Sequence, residues 1–320
     1  MRGVSPPTSS KVSRSLGREL EMLLCEDQCQ TQYELAEVLG VDRSTISGHI
    51  MHREWPKSKK IGYQESSVMH IRKKRIIDKT PSGRLPEKLE RAPCIVNILK
   101  NGVSHCAGCI LHSMIVITAA YCVRDTYPFA KFTILSGSEM RNNGTFHRIQ
   151  RKLLHPHSDL ALVLVDPPID IKNGPNRRVD IYRGAVRPYA YGRFSGWGCT
   201  SLPVGRDPIF PEQLMITRLP IISVEECIES LKTYNGYSPV THKNICTLDI
   251  SNRRGTCHGD GGGPLLYPIN SPGPLKLLGI MSYLRGVIIG KHADVFVNLN
   301  HPELHLWVIR KMHELQAGEA

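Results

Sequence analysis

Short apolar runs separated by turn residues dominate the chain from Cys94 onward. They are Cys94 to Leu99, Met114 to Ala119, Leu160 to Val165, Leu214 to Leu219, Leu275 to Met281 and Asp294 to Leu299. Runs of this length, rich in β-branched residues and bounded by turn formers, predict the strands of an all-β barrel or sandwich. The end of the chain follows another period. Pro302 opens a stretch to Met312 whose apolar residues recur at helical spacing, which predicts a terminal helix with proline in its first turn.

The N-terminal part follows helical spacing too. Thr31 with Glu34 three residues on forms a capping box for a helix ending at Leu39, and Gly40 sits where a left-handed C-cap is needed. A second helix runs from Arg43 to His52. Leu35, Ala36, Leu39, Val41, Ile46 and Ile50 can share one small core, leaving Arg43, Ser44, Thr45, Ser47 and His49 outward. Two short helices about such a turn form the geometry that lays a helix in the DNA major groove. Residues 18–53 are therefore read as a helix-turn-helix module. Residues 1–17, rich in Ser, Pro and Arg, read as disordered. Residues 54–91 read as a basic linker, broken by Pro56, Pro81, Gly83 and Pro86, and residues 92–320 as the main domain.

Composition changes this picture only in part. With 41% hydrophobic and 22% charged residues among 320, wholesale disorder is excluded. No apolar window approaches the roughly 18 residues of a membrane span. Residues 1–20 are polar and basic, unlike a secretory signal. The 10 cysteines point the other way, toward an oxidising compartment. The net charge of +12 permits an anionic partner without identifying one. Cys25 and Cys29 have no His or Cys neighbours at ligand spacing, so no metal site is expected, and nothing in the chain asks for a cofactor.

Two resemblances add to this reading. The stretch from Cys29 to Ser47 resembles the DNA-binding region of mariner-type transposases, over roughly residues 18–62. The acidic catalytic domain of that family is absent, so the resemblance implies weak DNA contact through Arg43, Ser44, Thr45, Ser47 and His49, and no transposition chemistry. The larger part resembles the chymotrypsin/trypsin family of serine proteases. The residues that carry it run from Ser104 to Leu111, Ile117 to Cys122, Ser158 to Val163, Gly196 to Gly198, Thr256 to Leu265 and Gly279 to Tyr283, with Trp307 in the terminal helix. It implies two six-stranded antiparallel β-barrels with a cleft between them.

The chemistry of that family needs a serine nucleophile, a histidine base and a buried aspartate that orients the histidine. The histidine position holds Tyr121, the serine position holds Gly261, and Asp159 remains. Glycine forms no acyl-enzyme. Tyrosine, with a pKa of about 10, is a poor base at neutral pH. An oxyanion hole from the N–H groups of Gly259 and Gly261 needs no side chain and survives in this reading. The other histidines, including His105, His147, His155, His157 and His258, offer no evident rescue.

The resemblance also assigns a specificity pocket to Gly255, Ser282, Leu284 and Asp294. Asp294 suggests an acidic wall, but Leu284 replaces a glycine at the mouth, and a pocket filled by its own side chains is the favoured reading. Arg72-Lys73-Lys74-Arg75 before Ile76 looks like a zymogen cleavage site that frees an Ile76 terminus to pair with Asp260. A convertase site, a nuclear-import signal and a plain solvated linker are alternatives, the last the simplest. The family pairing implies disulfides Cys106–Cys122 and Cys227–Cys246, and leaves Cys94, Cys109, Cys199 and Cys257 without partners. Asn143-Gly144-Thr145 is a glycosylation sequon.

The expectation is thus a non-catalytic protease homologue that binds a protein partner through the old cleft, in an extracellular setting. Serine endopeptidase activity of the family is one alternative. A nuclear, DNA-binding chimera is the other.

Overall fold

The structure is a computed structural model. It describes residues 84–124, 131–187, 189–201, 207–232, 240–249, 254–268, 273–283 and 292–317. The predicted helix-turn-helix with Arg43, Ser44, Thr45, Ser47 and His49, the tail 1–17, the Arg75–Ile76 junction and Leu284 lie outside these residues.

The first barrel is built from β2 (Ile95–Lys100), β3 (Val103–His112), β4 (Ile115–Thr118), β5 (Phe132–Ser136), β6 (Thr145–Leu154) and β7 (Ala161–Asp166). These close in the order β2-β3-β4-β7-β6-β5, every pair antiparallel. The Ile115–Ile117 part of β4 and the Ala161–Val165 part of β7 are apolar and buried on both faces, as a strand that runs through the middle of a core must be. Their side chains pack with those of β2 and β3 into the larger core.

The second barrel uses β8 (Tyr191–Gly196), β9 (Met215–Ile222), β10 (Asn244–Thr247), β11 (Pro264–Pro268), β12 (Leu275–Tyr283) and β13 (Asp294–Asn298). The sheet β9-β10-β13-β12-β11-β8 closes on itself through a β8–β9 pairing. Its core includes Phe194, Leu219, Leu278, Met281 and Phe296, with Phe194 and Phe296 edge to face at 5.8 Å. The fold is mainly β, as the spacing of the apolar runs predicted.

Three helices accompany the barrels among the described residues: α1 (Ala120–Val123), α2 (Val224–Lys232) and α3 (Pro302–Ala317). Leu304, Val308 and Leu315 of α3 are buried against the first barrel, and Trp307 meets the His155 ring at 5.0 Å.

The folded domain already includes residues 84–91, ahead of the predicted boundary at 92. Residues 85–86 form a short strand, β1 (Leu85–Pro86), on the edge of β9, and Leu89–Arg91 make a 3-10 turn with Leu89 buried. The linker reading of 84–91 fails because Arg84, Leu89 and Ala92 anchor this stretch in the domain interior.

The cysteines also depart from expectation. Cys106–Cys122 and Cys227–Cys246 form as the resemblance implied. Cys199 and Cys257, expected to lack partners, are bonded to each other across 58 residues. Only Cys94 and Cys109 remain as thiols among the described residues, both buried.

Candidate functional site

The two barrels enclose an open cleft of about 1300 Å³. Its centre is built from three segments. The turn after β4 carries Tyr121 on α1, and the Cys106–Cys122 bond ties that helix to β3. The loop before β7 presents Asp159. The loop before β11 brings residues 255–263.

Asp159 is held from two sides. Its Oδ1 accepts the backbone N–H of Tyr121 at 2.9 Å, and its Oδ2 accepts the Ser282 hydroxyl at 2.8 Å. Burial pushes its carboxyl above the usual range, and these two bonds with the Arg124 charge pull it partly back. Among the described residues no histidine is bonded to Asp159.

Tyr121 and Gly261 occupy each other's space. The residue is 43% exposed, yet its hydroxyl lies directly over the Gly261 backbone. A Cβ placed on Gly261 would stand 1.6 Å from the Tyr121 hydroxyl oxygen and 2.5 Å from its Cζ. No side chain fits at 261 while the tyrosine keeps this position. Burial, followed by the negative charges of Asp159 and Asp260, pushes the phenol further above its ordinary value, so it stays protonated.

The glycine-rich turn itself is well anchored. The Gly261 carbonyl accepts the N–H of Ala107 at 2.7 Å, joining the turn to the first barrel. Gly262 approaches that barrel so closely that a Cβ would lie 2.2 Å from the Ala107 carbonyl. Gly259 adopts φ +92°, a conformation glycine takes without cost. The N–H groups of Gly259 and Gly261 meet no acceptor among the described residues.

Asp260 has a partner that the pattern of the chain did not reveal. Arg84, 1% exposed, reaches its carboxylate with both guanidinium nitrogens, Nη1 at 3.1 Å and Nη2 closer still. The same guanidinium donates to the Gly255 carbonyl through Nε at 3.2 Å and Nη2 at 2.9 Å. Asp260, fully buried, also accepts the N–H of Gly198 at 2.9 Å and of Cys257 at 2.7 Å. Gly196 and Gly198 make room for it, since a Cβ on either would fall 2.2 Å from the carboxylate. The zymogen alternative, an Ile76 terminus on Asp260, falls on a residue outside the described ones. Among the described residues the cation on Asp260 is the internal Arg84, and buried charges require such pairing.

The predicted pocket residues divide. Gly255 is buried, with its carbonyl committed to Arg84. Ser282 is committed to Asp159 and lines the cleft. Asp294 does not form an acidic wall. It is 5% exposed, and its carboxylate accepts the Thr256 hydroxyl at 2.7 Å and the Thr256 N–H at 3.1 Å, away from the cleft lining. Burial pushes its pKa up to about 6 despite these bonds and the nearby Arg84 charge.

Histidines are numerous but placed elsewhere than a base requires. His147 is a buried residue of β6, bonded to the Ser136 hydroxyl at 2.9 Å and the Pro167 carbonyl at 2.6 Å, and does not line the cleft. His105 does line it, with its ring edge to face on Tyr121 at 6.4 Å. Among the described residues no three His, Cys, Asp or Glu lie together as a metal site would need.

Two closed six-stranded barrels, a cleft between them and a glycine turn anchored by a buried aspartate define the architecture of the trypsin-like proteases. The trypsin family model matches residues 82–308, and the chain belongs to that family. It is 27% identical over 204 residues to trypsin eta of Drosophila melanogaster, covering 61% of this chain and 72% of that protein. It is 29% identical over 229 residues to lectizyme of Glossina austeni, covering 63% and 77% respectively. The crystal structure of a scabies mite inactivated protease paralogue, S-D1, shares the fold. It matches with a TM-score of 0.60 at 22% identity, covering 71% of this chain and 95% of that one.

Proposed function

We propose that this chain is a non-catalytic member of the trypsin family that acts by binding a protein partner through the former substrate cleft. The observation that carries this reading is the Tyr121 hydroxyl standing where a side chain at 261 would begin. Peptide hydrolysis by this fold needs a nucleophile at that point and a base beside it. The chain has neither there, and the protonated phenol blocks the approach of a substrate carbonyl. The retained features support binding. The cleft is open, the glycine turn is anchored, and the strand carrying Ser282 is in place. Three disulfides and an exposed Asn143 in its sequon support an extracellular site of action. The family activity, serine endopeptidase, is the alternative that the test must exclude.

The test uses the purified full-length chain. It is treated with a fluorophosphonate probe and incubated with a broad peptide library. The expected result is no labelling and no cleavage above the blank. Turnover that co-purifies with the chain and disappears in Tyr121→Ala or Asp159→Asn overturns the reading. Peptides selected by display on the same chain are expected to protect residues 255–263 and 155–159 from hydrogen exchange.

A further inference from the structure

The cleft carries six histidines: His105, His155, His157, His242, His258 and His301. They come from both barrels and from five separate stretches of chain. His105 lies on β3 beside Tyr121, His258 precedes Gly259, His155 and His157 precede Asp159, His242 lies in the turn before β10, and His301 precedes α3.

The fixed charges around them nearly cancel. Lys243 pairs with Glu303 at 2.7 Å, and that pair faces His155 and His301. Asp159, the single acid among the described lining residues, has both oxygens engaged and faces Arg124. Asp260 behind the turn is matched by Arg84. Lys100 faces His105 and, with burial, lowers its pKa. His155, like His105, has its charged form disfavoured. Its Nδ1 accepts the N–H groups of His157 and Ser158 at 3.1 and 3.0 Å, so that nitrogen is occupied, and burial further disfavours its charged form. Histidine is the side chain that changes charge between about pH 5 and 8, and the cleft gathers six of them. The one acid in the described lining, Asp159, is already engaged, so positive charge gained on that wall has no free carboxylate to offset it.

Resting on the reading of the cleft as a protein-binding groove, we propose that its partner is an acidic peptide segment, rich in Asp or Glu, bound more tightly as the solution is acidified. A peptide suits the site better than a nucleic acid. The cleft is a long open groove between the two barrels, lined from both, which an extended chain can follow. Tyr121 and Phe210 are the only aromatic rings besides histidine in the described lining, which gives bases little to stack on.

Fluorescence anisotropy of the full chain tests this, with a labelled peptide of alternating Glu and Ala at about pH 7.5 and about pH 5.5 in about 150 mM salt. Lys–Ala and Ser–Ala peptides, heparin and a DNA duplex are the comparisons. Three imidazolium–carboxylate contacts at a partly exposed site make the acidic peptide bind about tenfold tighter at the lower pH. His157, His242 and His258 are exposed, so replacing all three with Gln leaves the fold intact and is expected to abolish that gain. His313→Gln on α3, outside the cleft, is expected to keep it.

A gain that survives in the triple variant overturns the proposal, because the acidic peptide then sits elsewhere on this basic chain. Tighter binding of heparin or duplex at the cleft overturns the partner class. Preference for the Ser–Ala or Lys–Ala peptide, lost on cleft substitution, overturns the acidic class while the groove reading stands. No binding by any peptide removes both.

Discussion

Asp260 and Gly261 are neighbours in the chain, yet the structure treats them in opposite ways. At Asp260 the charge is kept and fully buried, and an arginine 176 residues away supplies the matching cation. At Gly261 the side chain is gone, and a tyrosine hydroxyl has moved into the space. One position preserves the shape of the turn by new means. The other carries no side chain at all, and the Tyr121 hydroxyl lies against its backbone. The difference separates two demands on one loop. Folding requires the buried carboxylate to be compensated wherever the cation comes from. Nothing in folding requires a nucleophile, and a close-packed interior fills the vacated volume.

The sharpest way to break this comparison is to remove the arginine. Arg84→Met leaves Asp260 as an uncompensated buried charge and removes the donors to Gly255. A loss of about 3–5 kcal/mol is expected, measured as the shift in urea midpoint of the full chain. Adding Asp260→Asn to Arg84→Met is expected to recover part of it. Arg84→Lys is expected to fall between, since a point charge cannot replace the fork on Asp260 and Gly255 together. An unchanged midpoint in Arg84→Met means the pair is incidental and the turn is held by its backbone bonds alone.

The neighbouring position gives a smaller effect and a sharper readout. Gly261→Ser forces its Cβ against the Tyr121 ring, and a cost of about 1–3 kcal/mol is expected for such overpacking. Combining it with Tyr121→His relieves the overlap and sets an imidazole beside Asp159, whose Oδ1 and Oδ2 already face this side. The double variant is expected to regain both the lost stability and slow labelling by a fluorophosphonate. Gly261→Ser alone is expected to show neither. If Gly261→Ser is as stable as the parent, the tyrosine swings away freely and its position does not block the site.

Much of this contrast was legible in the chain, and the rest failed for identifiable reasons. Tyr121 and Gly261 could be read because the residues flanking them keep the family pattern, from Ile117 to Cys122 and from Thr256 to Leu265. The apolar runs found strands β2, β4, β7, β9, β12 and β13 because those strands bury one or both faces. Strand β6 escaped, since Thr145–Leu154 places charged and polar residues on both faces and buries only His147 fully. Arg84 escaped because its partner is remote in sequence and its own surroundings read as a charged linker. The Cys199–Cys257 bond escaped because cysteine spacing does not specify connectivity. The direction of the Asp294 carboxylate, which turns to Thr256, could not be read from its position in the chain.

That buried carboxylate provides the finest test of how this region tolerates charge. Asp294 lies near both Arg84 and Asp260, and burial raises its pKa from 3.8 to about 6. A carboxyl with a raised folded pKa binds its proton more tightly in the native state than in the unfolded one. Its contribution to stability is therefore complete below the unfolded value and is lost as pH rises from about 4 to about 6. Above that window the protein carries the full cost of an ionised group in a site that disfavours it. Asp294→Asn keeps an acceptor for the Thr256 hydroxyl and removes the titration. Its stability relative to the parent is expected to rise across that window by an amount on the order of 1–3 kcal/mol, and to level off near neutrality. Urea melts at half-unit pH steps measure the two curves. Parallel curves through the window would show that Asp294 is already ionised throughout. Arg84 would then compensate two carboxylates instead of one, and the separation between the kept charge at 260 and the filled space at 261 would extend to a wider buried network.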